Sequence, residues 1–290
     1  MAIVVTLLLC AMAGCQLPPA TQPASTTRPS GTKPATTRPA QPQPLLTYAE
    51  VAARYNKNIT RLDKLWTAGT VELKWTDRGQ RRWEQGDVHV ILLPPSRMAF
   101  EINKAGVTLL WAGADQERYW LFDLQNPRTA YVGRHADYGR SPETPLPIHP
   151  LDLVRILGVT PLPLTAGDAT VEWISKGDVR SWLVEFPGRM RMVVDPRTAL
   201  PSRIDLLDAH GYSRVIARLS APDRVEIENA PPGAFPTMNT RFEITMTDRD
   251  GSMTLYLSRM TNRSDKFNEK IFNFDILKKM LKPEAVNELK

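Results

Sequence analysis

The sequence predicts a mainly β protein: a strongly curved antiparallel sheet, or incomplete β-barrel, with an N-terminal amphipathic helix as its cover and a short C-terminal helix. Three observations lead there. Apolar residues alternate with period two through most of the chain after residue 65. The alternating runs are divided by turn signals rather than by helical crossovers, and helical periodicity is confined to short stretches.

In chain order, the first element is an export signal. Ile3 to Ala13 is almost wholly apolar and runs into Met12-Ala13-Gly14-Cys15. The run is shorter than the ~20 residues that span a bilayer, and it has the apolar core and small-residue cleavage site of a signal peptide. The tetrad Met-Ala-Gly-Cys resembles a lipobox. That resemblance implies removal of residues 1–14 and a lipid anchor on Cys15 as the first mature residue. Gln16 then stands where an Asp would favour retention at the inner membrane, which points to the outer membrane. Residues 15–44 form a tether of Pro, Thr, Ala, Gln and Ser with the near-repeat Thr26-Thr27-Arg28-Pro29 and Thr36-Thr37-Arg38-Pro39. Such a composition has little to bury and cannot repay the entropy of folding, so it reads as an extended spacer. Arg28, Lys33 and Arg38 supply three of the formal net charges of +6, and solvation is their ordinary role. What is left of the positive charge is too small to imply a nucleic-acid partner.

Residues 45–290 are long enough for one sizeable core. Thr47 and Glu50 make a capping box, after which Val51, Tyr55, Ile59, Leu62 and Leu65/Trp66 recur at helical spacing, so a helix is expected over 47–66. Its other side carries Arg54, Lys57, Arg61 and Lys64, a wet cationic back. Strands follow, with Val71, Leu73 and Trp75 on one face, then Val88, Val90 and Leu92, then Met98, Phe100 and Ile102, then Val107, Leu109 and Trp111, then Trp120, Phe122 and Leu124. Asp77-Arg78-Gly79, Pro94-Pro95-Ser96, Asn103-Lys104-Ala105-Gly106 and Gly113-Ala114-Asp115 separate them as turns. A short helix near Leu151 to Leu157 follows the Pro-rich stretch from Ser141 to Pro150. A second set of strands then runs from Thr170 to Ser258, with its clearest hairpin at Asp248-Arg249-Asp250-Gly251.

These residues carry a resemblance to a known family. The amphipathic helix, Gly69-Thr70-Val71-Glu72-Leu73, the strand Val88 to Leu93, Pro94 to Phe100 and Trp120-Leu121-Phe122-Asp123 stand in an order similar to that of the LolA/LolB-like lipoprotein carriers and receptors. In the second half, Val193-Val194-Asp195-Pro196 and Leu200-Pro201-Ser202-Arg203-Ile204 resemble that family's strand, Asp-Pro turn and Leu-Pro strand, and Phe272-Asn273-Phe274-Asp275 resembles its closing strand. The resemblance implies an unclosed barrel with a helical cover and an apolar cavity for acyl chains. Residues 91–95 and 109–111 are candidates for a membrane-touching loop.

Enzyme chemistry finds no footing in the sequence. Cys10 and Cys15 are the two cysteines, so the mature domain has no thiol nucleophile and no Cys-based zinc site. His89, His135, His149 and His210 show no i,i+4 pair, and no nucleophile elbow, phosphate loop or dinucleotide fingerprint occurs. His149-Pro150-Leu151-Asp152 reads as a helix cap, and Asp248 and Asp250 as turn formers. The expectation is therefore a lipid-anchored envelope binding module, not an enzyme, with no cofactor. Its partners would be the membrane, the acyl chains of lipid or lipoprotein cargo, and a carrier or envelope protein. The cavity is expected to be lined by Ile59, Leu62, Leu73, Val90, Phe100, Leu109, Trp111 and Phe122. The alternative is a structural envelope lipoprotein with a packed barrel that binds a protein partner. Replacing Cys15 with Ala should leave the chain uncleaved or soluble, because the attachment point and the processing signal disappear together. Recovery in a carbonate-washed membrane fraction equal to wild type would exclude the anchor.

Overall fold

The computed structural model describes residues 46–77, 79–125, 127–138, 148–247 and 250–289. Cys15, the signal segment and the tether lie outside the described residues, as do Asp248 and Arg249 of the expected hairpin. Helix α1 (Tyr48–Ile59) starts on the expected capping box, in which the Glu50 N–H donates to Thr47 Oγ1 at 3.3 Å and the Thr47 N–H donates to Glu50 Oε2 at 2.7 Å. It stops earlier than its periodicity suggests. Leu65 and Trp66 belong to the first strand, where Leu65 is opposite Leu92 and Trp66 lies between Ile91 and Thr261. The sheet claims their backbone groups, while Leu62, 2 % exposed, drops into the core from the connecting turn.

Six strands follow: β1 (Leu65–Asp77), β2 (Gln80–Leu93), β3 (Arg97–Lys104), β4 (Val107–Ala114), β5 (Arg118–Asp123) and β6 (Thr129–Arg134). Helix α2 (Pro150–Ile156) leads to β7 (Thr170–Lys176), β8 (Val179–Phe186), β9 (Met190–Val194), β10 (Pro201–Leu207), β11 (Ser213–Arg224), β12 (Thr237–Met246) and β13 (Gly251–Thr261). The chain ends with α3 (Phe274–Leu281) and β14 (Ala285–Leu289). All fourteen strands form one sheet in the order β14-β6-β5-β4-β3-β2-β1-β13-β12-β11-β10-β9-β8-β7. The pairing is antiparallel except for β14, which lies parallel to β6. The two meanders thus meet where β1 pairs with β13, and among the described residues β14 and β7 are the edges of the strand order. At the seam the strands come very close, since a Cβ on Gly69 would sit 2.0 Å from the Tyr256 carbonyl oxygen, which leaves glycine as the residue that fits.

The inner face follows from register. Val71 and Leu73 of β1, Val88 and Val90 of β2, Phe100 and Ile102 of β3, Leu255 of β13, Phe242 of β12, Ile204 of β10 and Trp182 of β8 point to one side and share one apolar core. Helix α1 lies on the part of that face made by the second meander. Tyr48 meets Phe186 edge-on, Arg54 lies over the Trp182 ring, and Asn58 exchanges two hydrogen bonds with the backbone of Thr237. Tyr55, wholly buried, donates its hydroxyl to the Gly158 carbonyl at 2.7 Å, and burial raises its phenol pKa. The cationic back of the helix is therefore partly engaged, because Arg61 also donates to the Ala234 carbonyl and Lys64 to Ser264.

The outer face is covered in its first half. Trp120, Phe122 and Ala130 pack under Phe274 and Leu277 of α3, with Phe122 stacked on Phe274 at 5.5 Å between ring centroids. The sequence expectation of a closing strand over Phe272 to Asp275 is corrected here. Asn273 caps α3 by accepting from the Ile276 N–H at 3.0 Å, and the stacking on Phe122 fixes Phe274 in the first helical turn. The last strand is β14 instead.

Changing Ile59 and Leu62 to Asp together should lower the thermal midpoint and raise binding of a hydrophobic dye, because each carboxylate would meet apolar surface at a cost of several kcal/mol. An unchanged midpoint with no gain in dye binding would remove α1 from this position.

Candidate functional site

Alternation along the first meander gives the inner face a hollow rather than a filled core. Val71 and Leu73 of β1, Met98, Phe100 and Ile102 of β3, and Leu121 of β5 form its sheet wall. Helix α2 forms the opposite wall through Pro150 and Leu153, with Ile148 just before it. The enclosed volume is about 540 Å³, inside the range of roughly 300–1,000 Å³ typical of ligand pockets. Met98, Met246 and Met253 are part of the lining, and unbranched thioether side chains adapt readily to irregular apolar guests. Polar groups gather at one end, among them Glu84, Gln85, Asp123 and Gln125. The hollow is thus an apolar trough with a polar mouth. A second hollow of about 540 Å³ opens between the tips of the β1–β2 and β12–β13 hairpins. It is bordered by Lys74, Arg81 and Arg82 and lacks the apolar depth of the first.

Leu73, Phe100 and Leu109 of the expected lining residues border the trough. Val90, Ile59 and Leu62 are buried in the same core, away from the trough lining. Trp111 and Phe122 are on the opposite face, and their expected place in the cavity is corrected. The cause in β4 is a bulge. Ile102 is opposite Leu110 while Asn103 is opposite Thr108, so Leu109 is an extra residue with no opposite number on β3. Both Leu109 and Leu110 consequently border the trough, whereas Trp111 turns outward to pack near Ile271 and Phe272. In β5 both faces are buried, Tyr119 and Leu121 inward and Trp120 and Phe122 outward, so alternation alone could not choose between them. Ile91 and Leu93, expected in a membrane-touching loop, pack with the same outer cluster. The large apolar side chains left exposed lie elsewhere, with Trp83 57 % and Trp75 39 % exposed on the β1–β2 hairpin.

The histidines also find partners that the sequence does not show. His89 faces Glu101 across β2 and β3 at 3.4 Å. His149 caps α2 as expected, its Nδ1 accepting from the Leu151 N–H at 3.0 Å, and its Nε2 lies 3.0 Å from Nδ1 of His135. Burial, the largest influence, pushes the His149 pKa down to about 4. No sequence signal marks the His135–His149 pair, because the two stand 14 residues apart and not at helical spacing from each other. Among the described residues no group of three or more His, Cys, Asp or Glu could hold a metal ion, and no helix is long and apolar enough to cross a membrane.

The sequence matches no protein-family model and no curated protein. Solved structures do match. A DUF1329 family protein from Desulfovibrio piger superposes with a TM-score of 0.52 at 10 % identity, covering 79 % of this chain and 97 % of that one. A LolA superfamily protein from Nitrosomonas europaea gives 0.49 at 14 % identity, with 79 % and 99 % covered. A structure from Vibrio parahaemolyticus, described as an outer membrane lipoprotein-sorting protein domain, gives 0.49 at 11 % identity, with 79 % and 97 % covered. The bent, unclosed sheet with helices against its inner face settles the architecture. In fold the chain is similar to the DUF1329 family protein, and it has the unclosed, helix-covered sheet expected from the sequence. In this frame α1 and α2 divide the inner face between them, and the trough belongs to the share of α2.

The two faces of the sheet make a separable prediction. Phe122→Ala should destabilise the domain by about 3–5 kcal/mol, as large-to-small changes at buried aromatics do, without altering ligand affinity under conditions where the variant is folded. Urea denaturation and probe titration on the same sample would check it, and a selective loss of affinity would return Phe122 to the cavity wall.

Proposed function

We propose that this chain is a lipid-anchored envelope protein, held through Cys15 and facing the periplasm, that binds acyl chains of lipid or lipoprotein cargo in the trough between β1–β6 and α2. The observation that carries this reading is the trough itself: about 540 Å³ of space, walled by Leu73, Phe100, Leu109 and three methionines and open at a polar mouth. The LolA/LolB-like fold and the lipobox resemblance support it. Function then consists of reversible burial of apolar surface, with no bond made or broken. Transfer of the cargo, toward or away from the outer membrane, would use the same reversibility.

Magnitudes favour a transfer protein over a permanent store. Each methylene contributes about 0.8 kcal/mol, so a chain of about 14 carbons gains on the order of 10 kcal/mol gross. Ordering the chain and the lining side chains offsets a large part of that, and micromolar affinity results. Such binding survives long enough for handover and still releases.

Leu109→Trp tests the reading because Leu109 sits on the bulge at the trough wall, where a void accepts the larger ring and a packed core does not. The variant should stay folded and bind a fluorescent fatty acyl probe at least about tenfold more weakly, a loss of about 1.4 kcal/mol. An unfolded variant together with no saturable binding by wild type would favour the structural lipoprotein with a packed barrel.

A further inference from the structure

The hydrogen bonds around His149 leave one arrangement of protons. Nδ1 of His149 accepts from the Leu151 N–H, so it carries no proton and Nε2 must carry one. That Nε2–H donates to Nδ1 of His135 at 3.0 Å, which leaves the His135 proton on Nε2, where it donates to the Asp115 carbonyl at 3.0 Å. A relay therefore runs from the first turn of α2 through two neutral imidazoles to the backbone just before β5. A further proton on His149 would turn the cap acceptor into a donor facing the Leu151 N–H. A further proton on His135 would set its Nδ1–H against the Nε2–H of His149. Either event breaks a link.

The surroundings keep the relay in register. His149 is 5 % exposed and packs against Tyr138 at 4.3 Å and Tyr119 at 5.0 Å between ring centroids. Tyr119 reaches this place across Gly133, where an added Cβ would lie 2.7 Å from the phenol oxygen. The charged and titratable groups facing His149 come from each packed element: Asp152 and Arg155 on α2, Arg214 on β11 and His135 in the turn after β6. Asp152 is the group that would welcome a cation, but it is paired with both Arg155 and Arg214. The residues flanking His149, Ile148 and Pro150, are trough wall, as is Leu153 one turn on.

We infer that the His149–His135 relay is an acid-sensitive latch, which fixes α2 as one wall of the trough while His149 is neutral and lets that wall loosen when His149 takes up a proton. The geometry stands without the acyl-binding reading, while the consequence for cargo rests on it. For His149 the direction follows from linkage: its folded-state pKa is depressed, so the opened state takes up protons first. The latch is at full strength above the ordinary value of 6.5, weakens as pH falls toward about 4, and changes no further below that.

The test uses the full chain. Nitrogen-15 NMR of the wild-type imidazoles near neutral pH should show both histidines protonated on Nε2, and a proton on Nδ1 of His149 would overturn the relay without any variant. Amide exchange at residues 151–153 should accelerate between pH 6.5 and about 4 beyond its intrinsic pH dependence. In His149→Asn, which keeps a capping acceptor but does not titrate, that excess should vanish. His135→Gln, whose amide can both accept and donate, should retain the neutral-pH protection of α2. Equal excess in wild type and His149→Asn would sink the latch. If exchange behaves as expected but a fluorescent fatty acyl probe binds at no pH, the latch stands and the acyl reading falls. If the probe binds and its affinity declines with the same pH profile, both stand.

Discussion

Burial of one continuous apolar face is the interaction on which the molecule depends. Across the sheet, residues such as Val71, Phe100, Phe242 and Trp182 all point inward, and a single sheet cannot shield such a surface from water by itself. Closure into a barrel is one solution, but β7 and β14 stay apart as edges in the strand order. The inner face is covered by helices and turns instead. Placing α1 before the first strand and α2 between the meanders gives each half of the sheet its own cover.

Much of this was legible because a strand with one wet face writes its orientation into alternation. Spacing alone puts Val88, Val90 and Leu92 of β2 on one face and Met98, Phe100 and Ile102 of β3 on one face, and the register agrees. Alternation failed where its premise failed. In β5 the outer face lies under α3, so Trp120 and Phe122 look as buried in sequence as Tyr119 and Leu121. In β4 the extra residue Leu109 shifts the period by one, and Trp111 changes sides. A bulge is a property of the pairing between two strands, so neither strand announces it alone. Helical spacing misled in a similar way at the end of α1, because Leu65 and Trp66 continue the stripe by accident of composition while their backbone groups pair with β2 and β13.

The polar parts of the candidate site were least legible, since they are assembled from distant segments. His149 was readable as a cap because a cap is local. Its contact with His135 needs β5, β6 and α2 to be in place first, and the pair with Glu101 gives His89 a partner only across a strand. The same holds for the methionines of the trough: Met98, Met246 and Met253 lie on three strands that meet through the β1–β13 seam.

Unequal covers explain why the space lies in one half of the fold. Helix α1 has twelve residues, about 18 Å at 1.5 Å per residue, and it brings Tyr48 and Tyr55 onto the second meander beside Phe186 and Trp182. Helix α2 has seven residues, about 10 Å; Val154 and Ile156 are buried in the core, and the side chains it turns to the trough are Pro150 and Leu153, neither of them aromatic. The sheet wall opposite is correspondingly modest at Ala112 and Gly86. A short helix that turns only Pro150 and Leu153 to the hollow does not fill the curvature of β1–β6. The void is the direct result of that mismatch, and the element that bounds it is also the one tied down by the paired imidazoles. The wall that leaves this space is fastened at its first turn, whereas the hydrogen-bonded ladder of β1–β6 is made within the sheet itself.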